Sequence, residues 1–230
     1  MSTAGEHAPL PSAVASTDLP EAVRAQLLAT EHWSLLATRS MTWAEVMSRI
    51  SIHLTVASAS LVVLALVTQA SGFGTAFKVL SIGLTSAVLV LGTLTGVRVH
   101  NASHDDAAMV LGMNRLRAAY VEMDPTVADY LVTSWHDDRV GMMRTYTMGH
   151  ERSTVSHVVG STAMFMSIVN TIVAGTLGAL IADAAGGGPA LVAVVGAISG
   201  SAYLAGMLEL GRRTFSRSRI PAHSPSPPDR

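Results

Sequence analysis

Apolar residues in this chain gather into four long runs, residues 50–68, 79–97, 158–182 and 189–208, none with an Asp, Glu, Lys or Arg inside it. At about 1.5 Å of rise per helical residue, each run can cross the roughly 30 Å hydrocarbon layer of a bilayer. Glycine-rich turns join them in pairs: Gln69-Ala70-Ser71-Gly72-Phe73-Gly74 and Ala185-Gly186-Gly187-Gly188-Pro189. Turns this short bring the chain back antiparallel. The pattern predicts an all-α integral membrane protein whose four transmembrane helices form two hairpins, residues 50–97 and 157–210.

Outside the runs the apolar positions thin to one helical face. Residues 1–17 hold too few large apolar side chains to fold and read as a disordered tail. Asp18-Leu19-Pro20-Glu21 resembles an acidic capping box, and Val23, Leu27, Leu28, Leu35 and Leu36 give the following helix one buried face through about Arg39. A second box, Thr42-Trp43-Ala44-Glu45, predicts a restart at the membrane edge. There Trp43 suits the interfacial belt and Arg49 can snorkel to headgroups. Residues 18–49 are thus N-terminal cytosolic or interfacial helices.

Residues 98–156 read as a cytosolic helical segment. Helical spacing continues past Arg98 as a heptad-like stripe, Met109, Met113, Leu116, Tyr120 and Met123, read as packing core. Asp124-Pro125 should stop that helix, because a residue before proline is pushed out of helical geometry. A short element around Thr126–Val132 and a helix over Ser134–Met148, ended by Gly149, complete the segment. Residues 211–230 read as a disordered basic tail.

Composition agrees with lipid as the solvent: 13% of residues are charged, against about 25% in soluble domains. Fourteen of the fifteen basic residues fall on one face of the predicted hairpins, and the two short turns hold only Lys78. The positive-inside rule then places both termini and residues 98–155 in the cytoplasm of a multi-pass plasma-membrane protein. The first 18 residues have neither a basic flank nor an apolar stretch, so no cleavable signal peptide is expected. A net charge of −1 gives no support for nucleic acid, and the absence of cysteine excludes disulfides and thiolate metal sites.

Candidate chemistry is sparse. His104-Asp105-Asp106 and His136-Asp137-Asp138 repeat one tripeptide, and His100 shares a helix face with His104. Imidazole and carboxylate bind divalent metals, so His100, His104, Asp105, His136 and Asp137 form a candidate metal set, with His150, Glu151 and His157 further on. The competing reading is solvated helix faces. Within the spans, Asn170 is a candidate interhelical hydrogen-bonding residue. His53, His100 and His157, near the membrane interfaces, could serve a pH-sensitive gate, the competing reading being interfacial polar side chains. Gly196 and Gly200 form a GxxxG suited to close helix packing, Gly83, Gly92, Gly175 and Gly178 are further candidates for helix contacts, and Arg212, Arg213, Arg217 and Arg219 could hold anionic headgroups. No serine-hydrolase elbow, phosphate loop or dinucleotide fingerprint is present.

Three segments resemble a family of actinobacterial four-span membrane proteins without an assigned activity. They are Glu31-His32-Trp33-Ser34-Leu35-Leu36-Ala37-Thr38-Arg39-Ser40, Gly112-Met113-Asn114-Arg115-Leu116-Arg117 and Ser134-Trp135-His136-Asp137-Asp138. The resemblance spans about residues 30–210. It implies a bacterial plasma-membrane location and transfers no catalytic or cofactor-binding residue. The expectation is therefore a non-enzymatic, homo-oligomeric, channel-like or membrane-organising component with lipid as its surroundings. The alternatives are a metal-dependent membrane enzyme using the His/Asp clusters and a scaffold for a cytosolic protein partner.

Overall fold

The computed structural model describes residues 19–148 and 160–217. Two hairpins build the molecule. The first joins α1 (Glu21–Ser71) to α2 (Thr75–Met123), and the second joins α4 (Thr162–Ala184) to α5 (Pro189–Arg217). Between them lie a 3₁₀ turn, Pro125–Tyr130, and the short helix α3, Arg139–Thr147. The fold is all-helical, and the four long helices are each long and apolar enough to cross a membrane.

α1 has 51 residues and α2 has 49, so each is about 75 Å long, more than twice the hydrocarbon thickness. They run antiparallel in one register along their whole length: Arg24 meets Glu122 (3.8 Å), Arg39 meets Asp106 (2.6 Å), and Glu45 meets Arg98 (2.7 Å). The turn between them uses Gly72 at φ +63°, left-handed geometry that glycine adopts without steric cost. The apolar halves of this hairpin pack with α4, and the polar halves extend beyond the spans as a stalk.

Two sequence expectations change here. The predicted restart at Thr42 is absent, because α1 passes unbroken through Arg39–Glu45. A capping box needs the Glu45 carboxylate to reach back to an N–H, but Glu45 instead accepts from Arg49 (2.8 Å) and Arg98 (2.7 Å). The helix expected over Ser134–Met148 starts only at Arg139, since Asp138 caps it by accepting from Gly141 N (2.7 Å). Met148, in left-handed geometry, ends it. The third span is helical from Thr162, capped by Ser161, which accepts from Met164 N (3.2 Å). The capping role expected of Asp18, the stop at Gly149 and the start near His157 lie outside the described residues, as do both tails.

In the membrane-length region polar side chains lie between the helices and large apolar ones face outward. The buried residues include His53, Ser60, Ser81, Thr95, Ser167 and Asn170, beside apolar Val88, Ala174 and Met207. The exposed ones include Leu61, Leu66, Leu94, Ile172, Leu191 and Ile198. Only 11–28% of each most apolar window is buried within the chain. A water-soluble bundle would reverse this arrangement, whereas lipid accepts it. Together with length and composition, it identifies a multi-span membrane protein.

Candidate functional site

Two polar centres stand out, one at membrane depth and one in the stalk. The first is built around glycines of α2. Gly92 and Gly96 lie one turn apart, and the missing side chains admit residues from three neighbouring helices. A β-carbon on Gly92 would overlap Asn170 Oδ1 of α4 and stand 2.7 Å from His53 Cε1 of α1. One on Gly96 would stand 3.3 Å from the Met207 methyl of α5 and 3.7 Å from Asn170 Nδ2. All four long helices thus meet around Asn170, which is fully buried, as is His53. A turn away, Thr93 gives its only proton to Leu89 O (2.7 Å), so at 3.0 Å the Tyr203 hydroxyl donates to Thr93 Oγ1 and ties α5 to α2. Towards the stalk an apolar cluster of Val46, Ile50, Val99, Ala102 and Met166 closes over this layer.

The second centre is Asp106, 2% exposed and placed within the apolar stripe Val99, Ala102, Met109 and Met113 of α2. Its carboxylate accepts from Arg39 Nε (2.6 Å) and Trp43 Nε1 (2.7 Å) of α1 and from Tyr146 Oη (2.7 Å) of α3. Burial acts to raise its pKa, but the hydrogen bonds from Arg39, Tyr146 and Trp43 outweigh it and hold the carboxyl below the ordinary range. Burial, then the bond to Asp106, push the Tyr146 phenol upward. One level further out, buried Asn114 donates to His136 O (2.8 Å) and accepts from Arg117 Nη1 (2.7 Å) and Thr145 Oγ1 (3.0 Å). Asp137, also buried, pairs with Arg115. With Val110, Leu111, Met113 and Met142 in contact, these bonds fasten residues 136–147 along α2. The centre is a clamp joining three helices, and its carboxylate is saturated with donors.

The residues singled out for metal binding separate along the stalk. His100 and His104 do share a face of α2, and the His100 ring lies beside Gly211 of α5. Burial, then the neighbouring His104, lower the His100 pKa. His136 is held at the level of Asn114, ten residues and about 15 Å further along α2 than His104. Asp105 is exposed 3.7 Å from Arg98, while Asp137 is committed to Arg115. Among the described residues no three His, Asp or Glu side chains gather as metal ligands. His150, Glu151 and His157 lie outside those residues.

Gly196 and Gly200 sit where α5 crosses α4. Their added β-carbons would be 3.1 Å from Gly175 O and Thr171 O. Arg212 and Arg213 both donate to Glu209 (2.7 and 2.6 Å), which they hold down to about pKa 2. Of Arg217 only the backbone is described, as the last residue of α5, and Arg219 lies outside.

Sequence reading missed the role of Asp106, although it carries a legible signal: an acid occupying a heptad position between Ala102 and Met109. Gly92 was legible as a glycine at a helix contact, but not which side chains of α1 and α4 face it.

Compared with known protein families, with curated proteins and with solved structures, the chain has no match. The actinobacterial resemblance therefore brings no family assignment, and function rests on the geometry above.

Proposed function

We propose that this protein is a non-enzymatic, homo-oligomeric, channel-like component of the plasma membrane, with both termini and the stalk in the cytoplasm. The observation that carries the reading is the inside-out bundle: hydroxyl, imidazole and amide groups lie between helices whose outer faces are leucine, valine and isoleucine. Buried polar groups in a membrane bundle mark helix contacts or a wet path, and here they run from Ser81 near the turns to Ser167 near the stalk. The spans hold no carboxylate or basic side chain in their interiors, which argues against ion-coupled pumping. The orientation follows from the concentration of arginines at the stalk end.

Reconstitution tests the proposal. Purified protein in liposomes should conduct protons or small ions above protein-free vesicles, and the detergent-solubilised form should be larger than one chain. Tight vesicles from a folded protein would refute the channel-like role.

A scaffold role is the second reading, favoured by Tyr130, which ends the 3₁₀ turn, and Val132 in the loop after it, 81% and 77% exposed. Such side chains in water suit a cytosolic protein partner. Co-purification that is lost on Tyr130→Ser would support it.

A further inference from the structure

Most polar side chains buried at membrane depth have spent their protons locally. Ser60, Thr95 and Ser167 donate to carbonyls four residues back and Ser81 to one three residues back, at 2.8–3.1 Å. His53 and Asn170 differ. Both ring nitrogens of His53 and both amide atoms of Asn170 are enclosed without a hydrogen-bond partner in the chain. His53 is 1% exposed and Asn170 0%. The two side chains meet over Gly92, where an added β-carbon would overlap Asn170 Oδ1 and stand 2.7 Å from His53 Cε1. Each unpaired buried group costs about 1–3 kcal/mol, so the pair calls for a partner that both accepts and donates. A neutral imidazole presents one donor and one acceptor, and the amide presents two donors and a carbonyl. Water, with two of each, is the small molecule that complements both.

We propose that His53 and Asn170 form a water-binding, protonatable site inside the membrane region; its part in conduction rests on the channel-like reading above. The site lies nearer the stalk end. His53 is one helical turn, about 6 Å, from Arg49, and Asn170 is about 12 Å from the start of α4 but about 21 Å from its end. The surrounding groups leave His53 as the titrating centre. On α1 the neighbours Arg49 and Glu45 are ion-paired with each other. On α2, Gly92, Thr95 and Gly96 carry no charge, and Arg98 is paired with Glu45. Met166 on α4 and Met207 on α5 are uncharged, Tyr203 of α5 is bonded to Thr93, and the other histidine on α2, His100, lies one turn beyond Gly96 with its ring beside Gly211 of α5. When His53 takes up a proton supplied by hydronium from the aqueous phase, both ring nitrogens become donors, and water and Asn170 Oδ1 are the acceptors at hand. Protonation therefore draws the α4 amide oxygen towards α1 and reorders the layer where all four spans meet.

The test uses the full chain in lipid nanodiscs with ring-¹⁵N histidine, the His53 signals being those lost in His53→Gln. The expected result is magnetisation transfer from water to the His53 ring and a change of its protonation state during an acid titration. Asn170→Leu should shift the midpoint, and Gly92→Ala, whose β-carbon would displace the Asn170 amide, should weaken the transfer from water while leaving the other histidine signals in place. A His53 ring that holds one protonation state throughout the titration and receives nothing from water overturns the site. Proton flux into liposomes containing a pH-sensitive dye separates the two readings. Tight wild-type vesicles with a titrating His53 end the channel-like reading and leave the site standing. Conducting vesicles with a silent His53 do the reverse.

Discussion

Asp106→Ala removes at once the acceptor for Arg39 Nε, Trp43 Nε1 and Tyr146 Oη. The half-buried indole and phenol then lose a charged partner, at about 1–3 kcal/mol for each orphaned donor. Arg39, with a third of its side chain exposed, can rehydrate and contributes less. The expected local loss is about 3–5 kcal/mol, in the range for breaking a buried ion pair. The spans do not depend on this carboxylate, so the loss should fall on α3, which Tyr146 ties to α2. Amide exchange over residues 139–147 should therefore accelerate by about two to three orders of magnitude, while amides of α4 keep their rates. Asp106→Asn, which keeps an acceptor oxygen and loses the charge, should cost about half as much. Hydrogen exchange read by mass spectrometry distinguishes these outcomes. Unchanged protection of α3 in Asp106→Ala would refute the clamp.

Acid should reproduce part of that effect. The folded Asp106 carboxyl titrates below its ordinary value of 3.8, so its stabilisation is full above about pH 4 and is lost as pH falls through the folded value. Exchange of α3, corrected for intrinsic rates, should rise only below that pH, and Asp106→Asn should abolish the rise. Gly92→Ala should lower the melting temperature in detergent by the equivalent of about 1–3 kcal/mol, since its β-carbon overlaps Asn170, whereas Gly83→Ala, in open space, should not. At the α4–α5 crossing, Gly200→Leu should lower the melting temperature far more than Gly206→Leu, because position 200 faces Thr171 O at 3.1 Å and position 206 faces nothing within 4 Å.

The four spans, their pairing and the stop at Asp124-Pro125 were legible in the sequence because each depends on local signals: uncharged length, glycine turns and the steric demand of proline. The continuity of α1 was not. Thr42-Trp43-Ala44-Glu45 has the composition of a capping box, and what overrides it is Arg98 on another helix, 53 residues away. The polar centres failed to appear for the same reason. His104 and His136 look alike in sequence, but the register of the loop after the 3₁₀ turn places them at different levels of α2. Their neighbours Asp106 and Asp137 are the buried ones, while Asp105 is exposed. Asn170 was legible as a buried polar residue, but its convergence with His53 required the α1–α2 register and the absent side chain of Gly92.

The proposed topology is a membrane-spanning bundle with its stalk and both termini in the cytoplasm. Because the chain has no cysteine, single introduced cysteines report this directly. Ser71, exposed at the end of α1, Gly188, in the turn before α5, and Val132, 77% exposed on the stalk, are suitable positions. In intact cells an impermeant thiol reagent should modify Ser71→Cys and Gly188→Cys, and should reach Val132→Cys only after permeabilisation. Labelling of Val132→Cys in intact cells, with both turn positions protected, would contradict the orientation, and equal labelling of all three would contradict the membrane span itself.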